Sequence, residues 1–255
     1  MNMEAESQQV LNEYLKIATS FSIPIFWGKR RGSTWKILNN GTAFILDTGA
    51  DKFVVTAAHV YRSYLKAKGA GQTDESQLSN IGFEMESRLI SIPQNNDIDI
   101  ATFKISDPEI SRLGKNVLRG GNLTWPPSKP NEGEAIIVSG FPGAERQHRI
   151  GHAFSFGTYC FNTPVSSVSS RHIGCSLERK YWRDTFGRGF PPENYDMGGV
   201  SGAPALALEK SEAGIISLQL AGIVYEARAS ELIGEIFFAH HSEFIDKNGV
   251  VAQNA

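Results

Sequence analysis

The chain has 255 residues, 41% of them hydrophobic and 20% charged, and a formal net charge of −2 at pH 7. That length suits one large β domain or two small ones sharing a core, and the near-neutral charge excludes a general pull toward nucleic acid or anionic lipid. Its two cysteines are too few for a disulfide-dependent secreted domain, and no apolar run approaches the length that spans a bilayer.

In chain order, Met1–Gln9 is polar and contains no Lys or Arg, so no secretory signal and a cytoplasmic location are expected. Glu4 to Ser20 reads as an amphipathic helix, with Val10, Leu11, Tyr14, Leu15 and Ala18 at helical spacing, docked on the body of the protein. From Ile23 the texture changes to short apolar runs broken by Gly, Asn and Asp. Thr42–Leu46, Lys52–Thr56, Ile98–Ile105, Ala135–Ser139, Phe154–Phe161, Ile215–Tyr225 and Glu235–Phe238 each have strand length and end at a turn signal. Such a series suits antiparallel barrels or sandwiches. Arg119–Gly133, rich in Gly and Pro, reads as a linker between two β halves. The polar stretches Lys66–Asn80, Asn162–Arg171 and Glu178–Asn194 read as surface loops, and Ser242–Ile245 as part of a closing helix.

Three stretches carry residue types that make a catalytic set. Thr56-Ala57-Ala58-His59 ends a strand with a histidine among small residues, Asp97-Ile98-Asp99-Ile100-Ala101 opens another, and Gly198-Gly199-Val200-Ser201-Gly202-Ala203-Pro204 is a glycine-rich turn around a serine. Hydrolysing a peptide at neutral pH needs an alcohol activated by a base, and an anion that orients the base. It also needs donors aimed at the developing oxyanion. Glycines beside Ser201 allow a tight turn that presents the amides of Gly199 and Ser201 to one point. Asp99 is preferred to Asp97 because strand parity puts it on the face of Ala101, Phe103 and Ile105, with Asp97 at the strand's more solvated start.

These blocks resemble, in the order His, Asp, Ser, the signature blocks of trypsin-like serine peptidases with the chymotrypsin fold. Ala135–Pro142 and Leu220–Val224 are similar to strands of that family's second barrel. The resemblance spans roughly residues 23 to 245 and implies an all-β fold of two antiparallel barrels. It divides the chain into a helical arm (1–20), a first barrel (21–118), a linker (119–130), a second barrel (131–239) and a C-terminal helix and tail (240–255). It implies a serine endopeptidase acting on protein or peptide substrates without a cofactor, through a His59, Asp99 and Ser201 triad and an oxyanion hole at Gly199 and Ser201. Tyr195 and Asp196 fall where the family places the floor of its specificity pocket, and Ala227 on a wall. Asp196 then either favours a basic substrate side chain or is an exposed loop carboxylate. Val200 stands where secreted trypsins carry an aspartate that pairs with a newly cut N-terminus. An oxyanion hole that forms without cleavage, or under a regulatory partner protein, is therefore expected, as in the bacterial, intracellular-type branch. A base that must start neutral implies activity falling as pH drops below roughly 6 to 7.

Other readings compete. A catalytically silent binding module would reuse the same fold. Asp47-Thr48-Gly49 resembles the active loop of retroviral-type aspartic peptidases, whose paired carboxylates share a proton, but also suits a hairpin turn between Ala43–Leu46 and Lys52–Thr56. An α/β-hydrolase, whose order is serine, acid, histidine, is excluded because the only Asp after Ser201, Asp246, follows His240 and His241, and because strand–helix alternation is absent. His152, Cys160, His172 and Cys175 match no short zinc spacing, so no metal is expected, and His148 with His152 is interrupted by Gly151. Cys160 and Cys175 are expected as reduced thiols, with a bridge between them as the alternative.

Overall fold

In a computed structural model, residues 3–31, 34–95, 97–119, 125–148, 154–177, 189, 192, 195–210, 216–230 and 234–254 are described. Helix α1 (Met3–Phe21) opens the chain. Leu15 and Ala18 are buried beneath it, and Val10 and Ile17 face outward. No described helix is long and apolar enough to cross a membrane.

A first sheet is built from β1 (Ile23–Arg31), β2 (Thr34–Asp47) and β3 (Lys52–Thr56), then helix α2 (Ala58–Gly69), then β4 (Glu75–Leu78) and β5 (Ile81–Gly82). Helix α3 (Met85–Arg88), β6 (Leu89–Ser91), β7 (Ala101–Lys104), helix α4 (Asp107–Leu113) and β8 (Leu118–Arg119) follow. The strand order is β5-β4-β1-β2-β3-β7-β6, antiparallel throughout, with β8 added parallel to β2. The second half contains β9 (Ala135–Gly140), a β10 (Arg146–His148) and β11 (Phe154–Phe156) hairpin, β12 (Tyr159–Val168), β13 (His172–Leu177), β14 (Pro204–Lys210), β15 (Ile216–Ser230) and β16 (Gly234–His241). Six of these strands close a barrel in the order β12-β13-β16-β15-β14-β9. The expected all-β architecture with barrels is thus present in coarse form, as one closed barrel and one curled sheet.

Strand parity sorts the apolar residues into three cores. On β2, Ala43 and Ile45 enter the core inside the first sheet, together with Val54 of β3 and Phe103 of β7. Their neighbours Phe44, Leu46, Phe53 and Val55 point the other way and meet Ile137 of β9, Leu206 of β14 and Leu220 and Ile223 of β15. The residues alternating with those, Ile136, Val138, Ala205, Ala207, Ala221 and Val224, fill the barrel interior. Strands with both faces covered need unbroken apolar runs, so Phe53-Val54-Val55 is continuous rather than alternating.

Three expectations from the sequence change. Lys66–Asn80 is no simple loop: α2 runs to Gly69 and β4 pairs with β1, because Tyr61 and Tyr64 give the helix a buried face. Asn162–Arg171 is largely strand, since β12 continues to Val168 with Thr163 and Val165 inward and polar residues outward. Polar residues there mark the solvent face of a strand, not its absence. Glu178–Asn194 falls almost wholly outside the described residues. The closing helix is a single 3-10 turn, Ser242–Phe244. After it the chain lies on the first sheet, where Thr102 Oγ1 donates to Gly249 O at 2.5 Å and Thr48 Oγ1 to Lys247 O at 2.7 Å. These tertiary bonds hold a tight turn, closed by the Ile245–Val251 bridge, where a helix was expected.

Gly202 joins the two halves. Its φ is +89°, and a Cβ there would overlap Thr42 O and Thr56 Oγ1 and come within 2.9 Å of Ala57 N. Gly71 has φ +65° but open space around it. Gly202→Ala is expected to lower stability by about 3 kcal/mol or more, and Gly71→Ala by only about 1 kcal/mol. Urea unfolding midpoints measure both, and equal losses would contradict the close approach at Gly202.

Candidate active site

His59 is the second residue of α2, directly after β3 and two fully buried alanines, Ala57 and Ala58. Its backbone amide donates to Asp99 Oδ1 at 2.7 Å, and its Nδ1 lies 2.5 Å from Asp99 Oδ2. One carboxylate therefore grips the residue at two points. An ionised carboxylate only accepts, so Nδ1 carries the proton and Nε2 is left as the basic nitrogen. The His59 side chain is 47% exposed and that of Asp99 14%.

Asp99 lies just ahead of β7, not inside the strand predicted from Ile98, and buried Ile98 and Ile100 anchor it on both sides. Arg62, one turn beyond His59 on α2, stands 3.8 Å from Asp99 Oδ1. It also donates to the carbonyls of Pro93 at 3.1 Å and Asn95 at 3.3 Å, tying down the loop that delivers Asp99. Asp97 is exposed and accepts from Asn95 Nδ2 at 3.2 Å. Of the two carboxylates, Asp99 is the one against the imidazole.

Ser201 sits on a turn whose carbonyls are drawn inward. Gly198 O accepts from Gly143 N at 2.7 Å, Gly199 O from Thr42 Oγ1 at 2.7 Å, and Ser201 O from Thr42 N at 2.9 Å. Gly199 has φ +102°, and a Cβ there would press on Phe141 O, so only glycine fits. Among the described residues, the amides of Gly199 and Ser201 donate to no acceptor, and the Ser201 hydroxyl has no hydrogen-bond partner. Val200 is 3% exposed and packs in the barrel interior, which fixes the turn from below.

Two cavities flank these groups. The larger, about 710 Å³, is lined by His59, Asp99, Arg62 and Asp97 on one side and by Arg171, His172 and His240 on the other. The smaller, about 350 Å³, is lined by Ser201 together with Tyr195, Asp196 and Ala227. Tyr225 and Glu226 line both, forming a shared wall. The proximity of the two halves runs through backbone: Gly202 packs on Ala57, two residues before His59.

The three specificity positions read from the sequence thus border the cavity beside Ser201, with different tasks. Tyr195 donates its hydroxyl to Glu145 Oε1 at 2.8 Å, and burial, then this carboxylate, raise its pKa. Asp196 Oδ1 accepts from Gly198 N at 2.8 Å and is used by the turn. Ala227 is exposed. Arg62, Tyr225, Glu226 and Glu235 were not singled out from sequence. Only Glu235 left a signal there, a charge in phase with Phe237 and Ala239.

Asp47-Thr48-Gly49 forms the turn between β2 and β3, with Asp47 Oδ1 accepting from Gly49 N at 2.8 Å. Cys160 and Cys175 are free thiols, pushed by burial to about 11 and about 12. Among the described residues no group of His, Cys, Asp and Glu could hold a metal ion; His152 lies outside them.

His240 and His241 are buried, and each bonds a carbonyl: His240 Nδ1 with Arg171 O at 3.1 Å, His241 Nε2 with Ser169 O at 2.8 Å. Burial is the largest influence on both and lowers their pKa values. On acidification the unfolded chain, with ordinary histidines, takes up protons first, so stability is greatest above about pH 6.5 and declines until the depressed folded values are passed. Denaturant midpoints measured from pH 7.5 to 5 should fall with a slope that His241→Gln reduces. An unchanged slope would assign the proton uptake to other groups.

No protein-family model matches the chain, and no curated protein sequence matches it either.

Proposed function

We propose that the chain is a serine endopeptidase with the chymotrypsin-type pairing of two barrels, using Ser201, His59 and Asp99. The observation that carries this reading is the double grip of Asp99 on His59, through the backbone amide and Nδ1. A carboxylate so placed fixes the tautomer that makes Nε2 a base and stabilises the imidazolium formed when it accepts a proton. In the reaction, Ser201 Oγ attacks the scissile carbonyl carbon while its proton passes to Nε2. The tetrahedral oxyanion collapses to an acyl-enzyme, and His59 returns the proton to the departing amine. Water, deprotonated by the same nitrogen, then releases the acid and restores Ser201.

The amides of Gly199 and Ser201, without acceptors among the described residues, support an oxyanion hole at the turn. One such donor is worth about a hundredfold to a thousandfold in rate. Val200 holds the turn by burial where secreted trypsins use an ion pair, which supports a site that needs no activating cleavage. Catalytic hydrogen bonds often form only with substrate bound, and the Ser201 to His59 bond is assigned to that stage. The free thiols suit a reducing compartment.

One observation favours a second reading, a catalytically silent binding module: the Ser201 hydroxyl has no hydrogen-bond partner among the described residues. A fluorophosphonate probe decides between the two. The wild type should label at Ser201 and Ser201→Ala should not. Asp99→Asn, which keeps the shape but favours the wrong tautomer, should cut turnover by roughly a thousandfold or more. A wild-type protein that never labels, or proteolysis that survives Ser201→Ala, would overturn the peptidase.

A further inference from the structure

A donor at Gly199 depends on which way one peptide plane faces. Gly198 O and Gly199 N belong to the same trans peptide, so they point in opposite directions. Gly143 N donates to Gly198 O at 2.7 Å, and that bond turns the Gly199 N–H away from Gly143. Glycine at both ends of the plane makes it easy to turn over, and Gly199 has φ +102°. Asp196 Oδ1 holds the Gly198 amide and Thr42 Oγ1 the Gly199 carbonyl, but these atoms belong to the two flanking planes. Among the described residues, the Gly198–Gly199 plane itself is held by Gly143.

Gly143 opens a 3-10 turn, Gly143–Glu145, between β9 and β10. Glu145 fastens this turn to the segment that carries the serine, because Tyr195 donates its hydroxyl to Glu145 Oε1 at 2.8 Å. The two segments are thus tied at both ends, by Gly143 to Gly198 and by Glu145 to Tyr195. Gly157 N donates to Glu145 O at 3.0 Å, and a Cβ on Gly157 would come within 2.8 Å of Glu145 Cβ. That glycine leaves the room in which the Glu145 side chain lies. The Tyr195 ring is 5.6 Å from that of Tyr159, which pairs with Gly140 at the end of β9. Burial, then Glu145, raises the Tyr195 pKa, so the hydroxyl keeps the proton it donates. A hydrogen bond to a carboxylate is roughly twice as strong as one between neutral groups.

We propose that Glu145 and Tyr195 are positioning residues: their bond braces Gly143, and so keeps the Gly198–Gly199 peptide turned with its amide toward the oxyanion formed at Ser201. The brace does for this turn what the activation ion pair, absent at Val200, does in secreted trypsins. The proposal rests on the serine-peptidase reading for its chemistry, but the hold on the turn can be measured without catalysis.

Two experiments separate them. In the first, amide hydrogen exchange is followed by NMR at Gly143, which exchanges only when it lets go of Gly198 O. Tyr195→Phe and Glu145→Ala should each speed this exchange by about tenfold, and Glu145→Gln, which keeps an acceptor, by no more than about threefold. Unchanged exchange in the first two variants, or equal acceleration at the amides of β3, would overturn the brace. In the second, the same proteins are labelled with increasing concentrations of an alkyl fluorophosphonate, whose phosphoryl oxygen takes the oxyanion position. Tyr195→Phe and Glu145→Ala should lower the maximal labelling rate by about tenfold and leave the half-saturating concentration within about threefold, and Glu145→Gln should keep most of the rate. Tyr195 lines the smaller cavity and Glu145 is not among its described lining residues, so matching losses mark positioning rather than a lost contact with the probe. Labelling of both variants at the wild-type rate overturns this inference and leaves the peptidase standing. Faster exchange at Gly143 in a protein that never labels overturns the peptidase and leaves the brace.

Discussion

The two halves of the molecule are held in register at Thr42. Its amide donates to Ser201 O, its hydroxyl donates to Gly199 O and accepts from Phe141 N, and its carbonyl accepts from Thr56 Oγ1. Thr42 and Thr56 are fully buried, and Asn40, which donates to Phe141 O at 2.7 Å, is 4% exposed. In such a dry seam each polar group left unpaired costs roughly 1 to 3 kcal/mol, so the bonds form together or the halves move apart. The serine turn is thereby a fixed attachment of one sheet to the other.

Apolar packing supplies the adhesion that these bonds direct. The middle core draws Phe44, Leu46, Phe53 and Val55 from the first sheet and Ile137, Leu206, Leu220 and Ile223 from the barrel. Dispersion and hydrophobic burial are non-directional and would tolerate a small slide of one sheet on the other. The hydrogen bonds of Asn40, Thr42 and Thr56 do not. Adhesion and register therefore come from different chemistry, and the proposed catalytic groups sit where register is tightest.

The carboxylates near the site are separated by geometry into distinct tasks. Asp99 orients an imidazole, Asp196 closes a turn, and Glu145 receives the Tyr195 hydroxyl. The chemical group is the same in each; the partner that the fold presents decides what it does. Arg62 shows how support extends outward, since the helix that carries His59 also fastens the loop that carries Asp99.

Local pattern in the sequence determined the amphipathic first helix, the β texture, the hairpin at Asp47–Asp51, and the blocks containing His59, Asp99 and Ser201, because each depends on neighbours within a few residues. It did not reveal that the histidine lies in the first turn of α2, that polar Asn162–Val168 is strand, or that the end of the chain forms a turn held on the first sheet. Those outcomes depend on buried faces and bonds to residues far away in sequence. Spacing specifies which residue types are available; only the pairing of β13 with β16 and the closing of the barrel decided which of their side chains share a space.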